Sequence, residues 1–367
     1  MVGRIAGGHV TDLTAAQTKT LLAITGADVA GLSNRNGIIN GCFRVAQRGV
    51  AFTAATVPLN SDDAYLLDRW VLLSDGNDIV DVTQVTTPVP VGAYAAACFD
   101  IETEDKKWGI LQILEARDSA RFIGGTVSLS FKARRGASDT STLLRAAVLS
   151  WASTADAVTS DVVNAWGNEG TNPTLVANWT AENTPAALAE LTDAYQTFKI
   201  EGIAVDTASA VNIAVFIWSE DKTNAVGDLV YIADVQLELS AVATPFEVRS
   251  YATEMTLCAR YAMAYTSTQN NVLIGFGLCQ LNNQVGVGLP FATMRAIPTL
   301  TATAADWIVS DGVTATDMTG LALAANVNSD KCVQLSCTVA GTPLTQFRMM
   351  FLVADQAGRV LLLEAEL

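Results

Sequence analysis

Residues 229 to 261 read LVYIADVQLELSAVATPFEVRSYATEMTLCARY. Side chains on a strand point alternately to opposite faces, so the alternation in the first part predicts a strand with one buried face. The predicted buried face carries Leu229, Tyr231, Ala233, Val235, Leu237 and Leu239, and the opposite face carries Asp234, Gln236 and Glu238. Ser240 to Thr244 interrupts the alternation, and Pro245 cannot donate to a ladder, so the strand is expected to end there.

The second part of this stretch predicts a short helix. A polar start at Ser250 to Glu254 precedes four candidate packing positions, Met255, Leu257, Cys258 and Tyr261, over one or two helical turns. We interpret the stretch as the closing strand of one β domain, a fixed connector and the start of a second domain.

Composition limits the classes of protein that this chain can belong to. The 367 residues are enough for two or three domains of roughly 100–200 residues each. Frequent glycine, 16% charged residues and few long helical periodicities favour short strands and turns, with much surface buried between subunits. A net charge of −15 argues against nucleic-acid binding and against anchoring on anionic lipid.

Targeting signals and disulfides are not expected. No run approaches the roughly 18 apolar residues of a membrane span, and residues 1–13 lack the apolar core of a signal peptide. Cys332 and Cys337 would lie about 16 Å apart on one strand, too far for a disulfide. We expect the six cysteines to be buried free thiols made in a reducing cytoplasm.

Several segments resemble structural proteins of tailed bacteriophages and phage-like particles, especially tail or head fibres and spikes. Residues 233–261, with Ser240 in place of the usual glycine, resemble the end of a carbohydrate-binding-module-like sandwich and the short helix after it in that family. IINGCFRVAQRGVAF (38–52) and YLLDRWVLL (65–73) resemble its opening, with Ala46 where tryptophan is common. LPFATMRAIPTLT (289–301) and LLLEAEL (361–367) resemble its later elements, with Glu364 in place of an aspartate. The matches cover most of residues 36–367.

The opening motif contains two charged residues with two interpretations. The matching residues are Asn40, Gly41, Phe43, Gln47, Arg48, Gly49, Tyr65, Asp68, Arg69 and Trp70. Asp68 and Arg69 could clamp a ligand, or form an ion pair that pins the first strand together with a Trp70 plug. We favour the structural interpretation, because such side chains more often complete the edge of a sandwich.

The order of predicted elements indicates an all-β protein. Residues 38–249 are expected to form a jelly-roll β-sandwich of at least seven strands, including a doubly covered strand at Trp108–Ala116 and a run with Val127, Leu129, Phe131 and Ala133 on one face. Residues 250–367 are expected to form a smaller C-terminal β domain that interlocks in an oligomer. Residues 1–37 are predicted to be an N-terminal anchor or oligomerisation segment, with Thr11 or Asp12 capping a helix over Leu13–Ile24.

A long irregular insertion between Trp151 and Tyr195 is the predicted ligand site. Its aromatic and amide side chains suit a sugar, whose C–H face stacks on a ring and whose hydroxyls bond to polar tips. The candidate carbohydrate-binding residues are Trp166, Trp179, Tyr195, Asn168 and Asn178. Alternatively, these aromatic rings close the sandwich edge or fill a subunit contact.

Reactive groups are scarce in this sequence. The single histidine, His9, leaves a Ser-His-Asp or Cys-His mechanism without a base in the predicted domains. Phosphate-binding loops and close Cys-X-X-Cys pairs are absent. We therefore expect a protein that is not an enzyme and needs no cofactor, although a structural Ca²⁺ stays open because it requires only scattered oxygen ligands.

The resemblance implies a virion protein that attaches to host-surface polysaccharide. It would assemble with itself, as a homotrimer or as a pentamer on a capsid vertex, and join other virion proteins through residues 1–37. A purely structural virion component, such as a collar, connector or head decoration, is the alternative, and a polysaccharide depolymerase acting through paired carboxylates is a third hypothesis.

Overall fold

The computed structural model describes residues 2–3, 11–12, 34–137, 139, 142–220 and 224–367. Near the N-terminus, β1 (Val2–Gly3) pairs with β2 (Thr11–Asp12) in an antiparallel ribbon. Thr11 and Asp12, the proposed helix caps, therefore lie in a strand. The predicted helix over Leu13–Ile24 falls outside the described residues.

Two six-stranded antiparallel sheets form a jelly-roll sandwich, which confirms the predicted fold class. Sheet I contains, in spatial order, β13 (Trp179–Ala181), β10 (Leu144–Trp151), β15 (Asn212–Ser219), β8 (Trp108–Ile113), β5 (Val71–Ser74) and β4 (Ala64–Tyr65). Sheet II contains β14 (Gln196–Ala204), β9 (Thr126–Arg135), β16 (Leu229–Glu238), β7 (Ala96–Ile101), β6 (Val80–Val85) and β3 (Ala51–Phe52).

The inner faces of the two sheets supply one continuous apolar core. Val127, Leu129, Phe131 and Ala133 of β9 are all buried in it, as their alternation predicted. Each aromatic ring or branched side chain that is removed from water contributes to stability roughly in proportion to its buried apolar area. Strand β8 is buried on both faces, which agrees with the predicted doubly covered strand, although the strand ends at Ile113.

Strand β16 has the predicted start but a different orientation of side chains. Val230 and Ile232 point into the core, followed by Val235 and Leu237, so the core-facing positions change from even to odd. The register of β16 against β9 shifts between Ala233 and Gln236, and Asp234 adopts a φ of 52°. This β-bulge inserts one residue and therefore reverses the faces along the strand. The prediction of one apolar face from Leu229 to Leu239 was wrong: Leu239 is 54% exposed, and Gln236 and Glu238 are buried.

The bulge is held by the segment before β3, the first strand of the sandwich. The Asn36 side chain donates to the Val235 carbonyl at 3.0 Å and accepts from the Leu237 amide at 3.1 Å. The Gly41 carbonyl accepts from the Val235 amide at 2.9 Å, and a Cβ at Gly41 would lie 2.1 Å from the Val235 oxygen. The glycine of the Asn-Gly motif is therefore required by close backbone approach.

The insertion after Trp151 covers the outer face of sheet I. It contains β11 (Val163–Ala165) and β12 (Thr174–Leu175), which pair with each other, and leads into β13. Its apolar residues join the outward-facing residues of β5, β8, β10 and β15 in a second core. Both faces of sheet I are consequently buried.

Two short helices and the C-terminal unit remain. Helix α1 (Ala116–Ser119) lies within the sandwich. Helix α2 (Tyr251–Ala259) is capped by Ser250, whose side chain accepts from the Thr253 amide, as the polar start predicted. A closed barrel has the order β18 (Leu273–Leu281), β19 (Gln284–Pro290), β23 (Cys332–Val339), β22 (Ala315–Leu323), β21 (Trp307–Ser310) and β24 (Met349–Ala354). Beside it, β17 (Ala262–Thr266), β25 (Val360–Glu364) and β20 (Thr299–Thr301) form a three-stranded sheet, with one 3-10 turn at Ala304–Asp306.

The barrel closes within one chain around its own core. Strands β17 and β22 were not predicted from the sequence. Among the nine residues of β22, only Met318 is buried, so its apolar signal is weak. All six cysteines are free and five are buried, while Cys332 is exposed. No helix among the described residues is long and apolar enough to cross a membrane.

The opening motif and the last residues meet at the junction between sandwich and barrel. Arg48 pairs with Glu364 at 2.9 Å and with Glu366 at 3.0 Å, and Arg69 also pairs with Glu366. The Asp68 carboxylate accepts from the Gln47 amide at 2.6 Å, and no ion pair joins Asp68 to Arg69. The predicted ion pair between these two residues was therefore wrong. Arg48 and Arg69 instead hold the two units together, which is a structural role, and Asp68 binds Gln47.

Trp70 is the plug that the motif predicted. Its ring is 2% exposed, stacks on Phe43 at a centroid distance of 5.2 Å, and donates from Nε1 to the Asn40 carbonyl at 3.1 Å. The domain boundaries at 37/38 and 249/250 stay a prediction.

Candidate functional site

The outer face of sheet II is partly open, in contrast to sheet I. At one end, the segment 240–249 folds back over the face, and Thr244 donates to the Glu238 carboxylate at 2.7 Å. At the other end, the loop between β6 and β7 approaches, and the Tyr195 hydroxyl donates to the Pro88 carbonyl at 3.0 Å. A groove remains between these two segments.

We call this feature the sheet II groove. It consists of two adjoining hollows of about 490 and 290 Å³ that share Lys132, Asp234, Pro245 and Phe246. The larger hollow is also lined by Cys42, Arg44, Tyr94, Val248 and residues 91–93, and the smaller by Ser130, Phe131, Thr197, Lys199, Ala243 and Thr244. The volume suits one or two sugar rings, since ligand sites in proteins commonly measure roughly 300–1,000 Å³.

Strand alternation places the polar groups of the groove. In β9, the residues between the core positions are Ser128, Ser130, Lys132 and Arg134, so they point outward. Thr197 of β14 lies opposite Lys132, and Lys199 lies opposite Ser130. The β16 bulge adds Asp234, whose carboxylate is 2.8 Å from Lys132 Nζ. Hydroxyls, ammonium groups and a carboxylate therefore face one hollow.

Aromatic rings flank the arginines of this face. The Arg44 guanidinium lies over the Tyr94 ring at 5.3 Å from the centroid and over the Tyr251 ring at 6.0 Å. Tyr94 is 60% exposed and Tyr251 is 51% exposed. Arg134 lies over Tyr231 at 5.3 Å and over Tyr195 at 5.8 Å. Cation–π contacts of this kind orient both rings and guanidinium groups.

The nearby thiols are protonated at neutral pH. Burial, together with the Glu254 charge, raises the pKa of Cys42 to about 11. Burial raises the pKa of Cys98, which lies opposite Tyr231, to about 12, and it raises the pKa of Tyr231 to about 12. The groove therefore contributes hydrogen-bonding and stacking groups and has no thiolate nucleophile at Cys42 or Cys98.

Trp166 and Trp179, two of the five sequence-predicted site residues, are buried. Trp166 is 7% exposed and packs against Phe216, and Trp179 is 5% exposed and packs against Trp151 at 5.3 Å. Both belong to the core over sheet I, which was the alternative interpretation of these rings. Less than a tenth of either residue is exposed, so neither ring offers a sugar a full stacking face in this arrangement.

The other three predicted residues are not assembled with the tryptophans into one surface. Asn168 is exposed and, with Trp166, lines a separate hollow of about 640 Å³ that also contains Asp62, Asp75 and Asp161. Asn178 is exposed in the turn before Trp179, where its carbonyl accepts from the Ala152 amide. Tyr195 lies on the sheet II side, against Arg134.

Sequence reasoning missed most residues of the groove. The outward positions of β9 were visible as polar residues between core residues, which is the signal that could have found Lys132 and Arg134. Arg44 and Tyr94 gave no such signal, because they come from irregular segments that approach the sheet only in the fold. Within the described parts of the chain, no group of three or more His, Cys, Asp or Glu side chains is placed to hold a metal ion.

Comparisons with known proteins return no matching family model and no matching curated protein. Similar solved structures include TmCBM61 in complex with β-1,4-galactotriose, at 15% identity over 56% of this chain and 100% of that chain, with a TM-score of 0.31. The xylan-binding domain CBM22-1 of Paenibacillus barcinonensis Xyn10C has 12% identity over 50% and 94%, with a TM-score of 0.30.

A third similar structure is the enzymatically active domain of bacteriophage CBA120 tailspike protein 4. It has 14% identity over 56% of this chain and a TM-score of 0.33, and the match spans 21% of that chain. All three TM-scores lie below 0.5, so these likenesses carry no argument about this chain. The assignment as an all-β, jelly-roll protein with an additional β domain rests on its own strand order.

Proposed function

We propose that this chain is a virion fibre or spike protein that attaches to host-surface glycans through the sheet II groove. One observation carries the proposal: the outer face of sheet II presents a groove bordered by exposed tyrosine, whereas the outer face of sheet I is buried. The motif resemblance to phage fibres supports the virion context.

The groove has the chemistry that a sugar requires. A sugar presents apolar C–H patches and many hydroxyls, and it is held by an aromatic ring together with a few fixed polar groups. Tyr94 supplies the ring, and Asp234, Lys132 and Thr197 supply an acceptor, a donor and a hydroxyl on the same face. Because these groups lie on paired strands or are tied to them, little ordering is needed on binding.

The rest of the chain would serve assembly. In this proposal residues 1–37 join the particle, the protein assembles as a homotrimer or as a pentamer on a capsid vertex, and the completed protein resides in the virion. No catalytic step is included in the proposal.

A glycan array probed with the purified full chain tests this function. We expect binding to at least one host-surface glycan, and we expect Tyr94→Ala to abolish it. Phe276→Ala is the matched control, because Phe276 is an equally exposed aromatic residue on the barrel, at 66% exposure. A blank array, with particles that still adsorb through another protein, would contradict the proposal.

A purely structural virion role is the second candidate, and one observation favours it. The outer surface of the barrel exposes an apolar stripe across β18 and β24 that includes Phe276, Leu278 and Met349, and Leu278 lies directly opposite Met349. Large exposed apolar patches commonly mark protein–protein contacts. Loss of particle assembly in Phe276→Ser, with glycan binding absent in the wild type, would support this role.

A depolymerase is the third candidate, and the acidic hollow beside Trp166 is where its carboxylates would lie. Burial raises the pKa of Asp62, and the neighbouring Asp161 charge adds to the rise. An acid with a raised pKa is what glycosidic hydrolysis needs. Release of reducing ends from host polysaccharide by the wild type, abolished in Asp62→Asn, would establish this activity.

A further inference from the structure

We infer that the ligand of the sheet II groove is an acidic glycan, whose carboxylate binds Arg44. The inference rests on the proposed function and specifies its ligand class. It starts from charge: the groove residues include three cations, Arg44, Lys132 and Lys199, and one acid, Asp234. The chain as a whole has a net charge of −15, so a cationic groove is a local exception.

The cations of the groove differ in their partners. Lys132 pairs with Asp234 at 2.8 Å, and Lys199 lies 4.0 Å from a Glu201 oxygen. Arg44 makes no ion pair with a carboxylate among the described residues, and its hydrogen bond to the Arg249 carbonyl is long, at 3.4 Å. The Arg44 Nε is buried and has no hydrogen-bond partner.

Because this Nε is shielded from solvent, the donors that a ligand can reach are the two Nη groups, and among the described residues only Nη1 has a hydrogen-bond partner. The guanidinium can donate two parallel hydrogen bonds to one carboxylate, and such bidentate pairs are among the strongest in proteins. Tyr94 and Tyr251 already orient the guanidinium, so the donor is fixed before the ligand arrives.

The ligand that satisfies both the ring and the charge is a sugar with a carboxyl group. Its ring can lie in the hollow beside Tyr94, and its hydroxyls can donate to Asp234, which lines both hollows. A neutral sugar would leave the Arg44 guanidinium without an ionic partner.

Matched polysaccharides test this inference. The probes are alginate, polygalacturonate and hyaluronate, each before and after chemical reduction of its carboxyl groups to neutral hydroxymethyl groups. Binding of the full chain is measured by affinity electrophoresis and by calorimetry at low and high salt. We expect at least one acidic polymer to bind, with an affinity that falls as salt rises. Its neutral form should bind at least about tenfold more weakly, because a hydrogen bond to a charged group is stronger than one between neutral groups.

Variants assign the charge recognition to one residue. Arg44→Gln is expected to weaken binding of the acidic polymer about tenfold or more, and Arg44→Lys to restore part of it, because the lysine keeps charge without the bidentate geometry. Arg348→Gln is the matched control, since Arg348 is an exposed barrel arginine outside the groove. Circular dichroism and the unfolding midpoint verify that each variant is folded.

Each outcome decides a different question. Binding that is equal for the acidic and reduced polymers, or unchanged in folded Arg44→Gln, overturns the acidic ligand and leaves the proposed function standing. Absence of binding to all six polymers overturns the acidic ligand, and a blank glycan array then overturns the proposed function as well.

Discussion

Arg48 and Glu366 are 318 positions apart in the chain and form an ion pair, with 3.0 Å between Nη2 and Oε1. The Arg48 side chain is fully buried, and the Glu366 side chain is 7% exposed. Arg69, which stacks on Tyr261 at 3.6 Å, shares the same carboxylate. The Glu366 carboxylate therefore pairs with two buried guanidinium groups, of which Arg48 also pairs with Glu364, and joins the sandwich to the C-terminal unit.

Glu366→Gln is expected to destabilise the protein strongly. The substitution keeps the shape of the side chain but leaves two buried cations with less compensating charge, and breaking a buried pair of this kind costs ~3–5 kcal/mol. Urea unfolding of the full chain measures the change. Asp355→Asn is the control, because the partly solvent-exposed pair of Asp355 with Arg359 contributes little to stability. A loss below about 1 kcal/mol in Glu366→Gln would contradict the role assigned to this junction.

Both halves of this junction can be recognised in the sequence, but the contact between them cannot be predicted from it. The motif around Arg48 and Arg69 and the ending Glu364–Leu367 are recognisable separately. Their contact depends on the relative position of two domains, which local alternation does not specify. For the same reason, Asp68 and Arg69 suggested a pair with each other, although each has a more distant partner.

Trp179→Ala is expected to lower stability without removing the ligand site. The Trp179 ring is buried against Trp151, and deletion of a buried aromatic ring costs ~3–5 kcal/mol. Asn168→Ala, at an exposed position of the same insertion, should change stability by less than about 0.5 kcal/mol. Chemical unfolding and glycan binding of the folded fraction provide the two readouts. If Trp179→Ala kept its stability but lost glycan binding, the ligand site would lie in the insertion, which would contradict this prediction.

The insertion shows how far amino-acid composition can predict a binding site. Aromatic and amide residues in a long loop are typical of sugar binding, and they are equally typical of a loop that covers a sheet. The deciding fact is that outward residues of sheet I, such as Phe216 and Trp218, are apolar and need a cover. This demand is visible in the continuous apolar run of β15, which implies burial on both faces.

Asp234→Val is expected to destabilise the protein by ~1–3 kcal/mol, because a β-branched residue at a φ of 52° is strained. Asp234→Asn tolerates the left-handed conformation and should cost less, although it weakens the ion pair with Lys132. Thermal unfolding of the two variants measures the difference. Equal losses in both would indicate that the bulge conformation contributes nothing to the energetic cost.

The bulge also marks the limit of alternation as a predictor. The start of the strand at Leu229 and its end before Ser240 follow from the sequence, and the orientation of its first half does not. One inserted residue changes which residues face the core, and the anchors Asn36 and Gly41 that favour it lie about two hundred positions away.

Asp81→Asn is expected to stabilise the protein at neutral pH. Burial and the Glu102, Asp78 and Asp100 charges raise the pKa of Asp81 to about 6. The folded state therefore binds a proton more tightly than the unfolded state, so stability falls as pH rises from about 4 to 6. The variant removes this loss, and its advantage in urea midpoint should shrink towards pH 4. Glu104→Gln, at an exposed turn, is the control, and an advantage independent of pH would contradict the assignment.

The most direct test of the account is hydrogen exchange of the full chain with and without a glycan that it binds. The sheet II groove predicts slower exchange in peptides that contain residues 42–44, 91–94, 130–134 and 244–248. Protection confined to residues 160–170, beside Trp166, would contradict it.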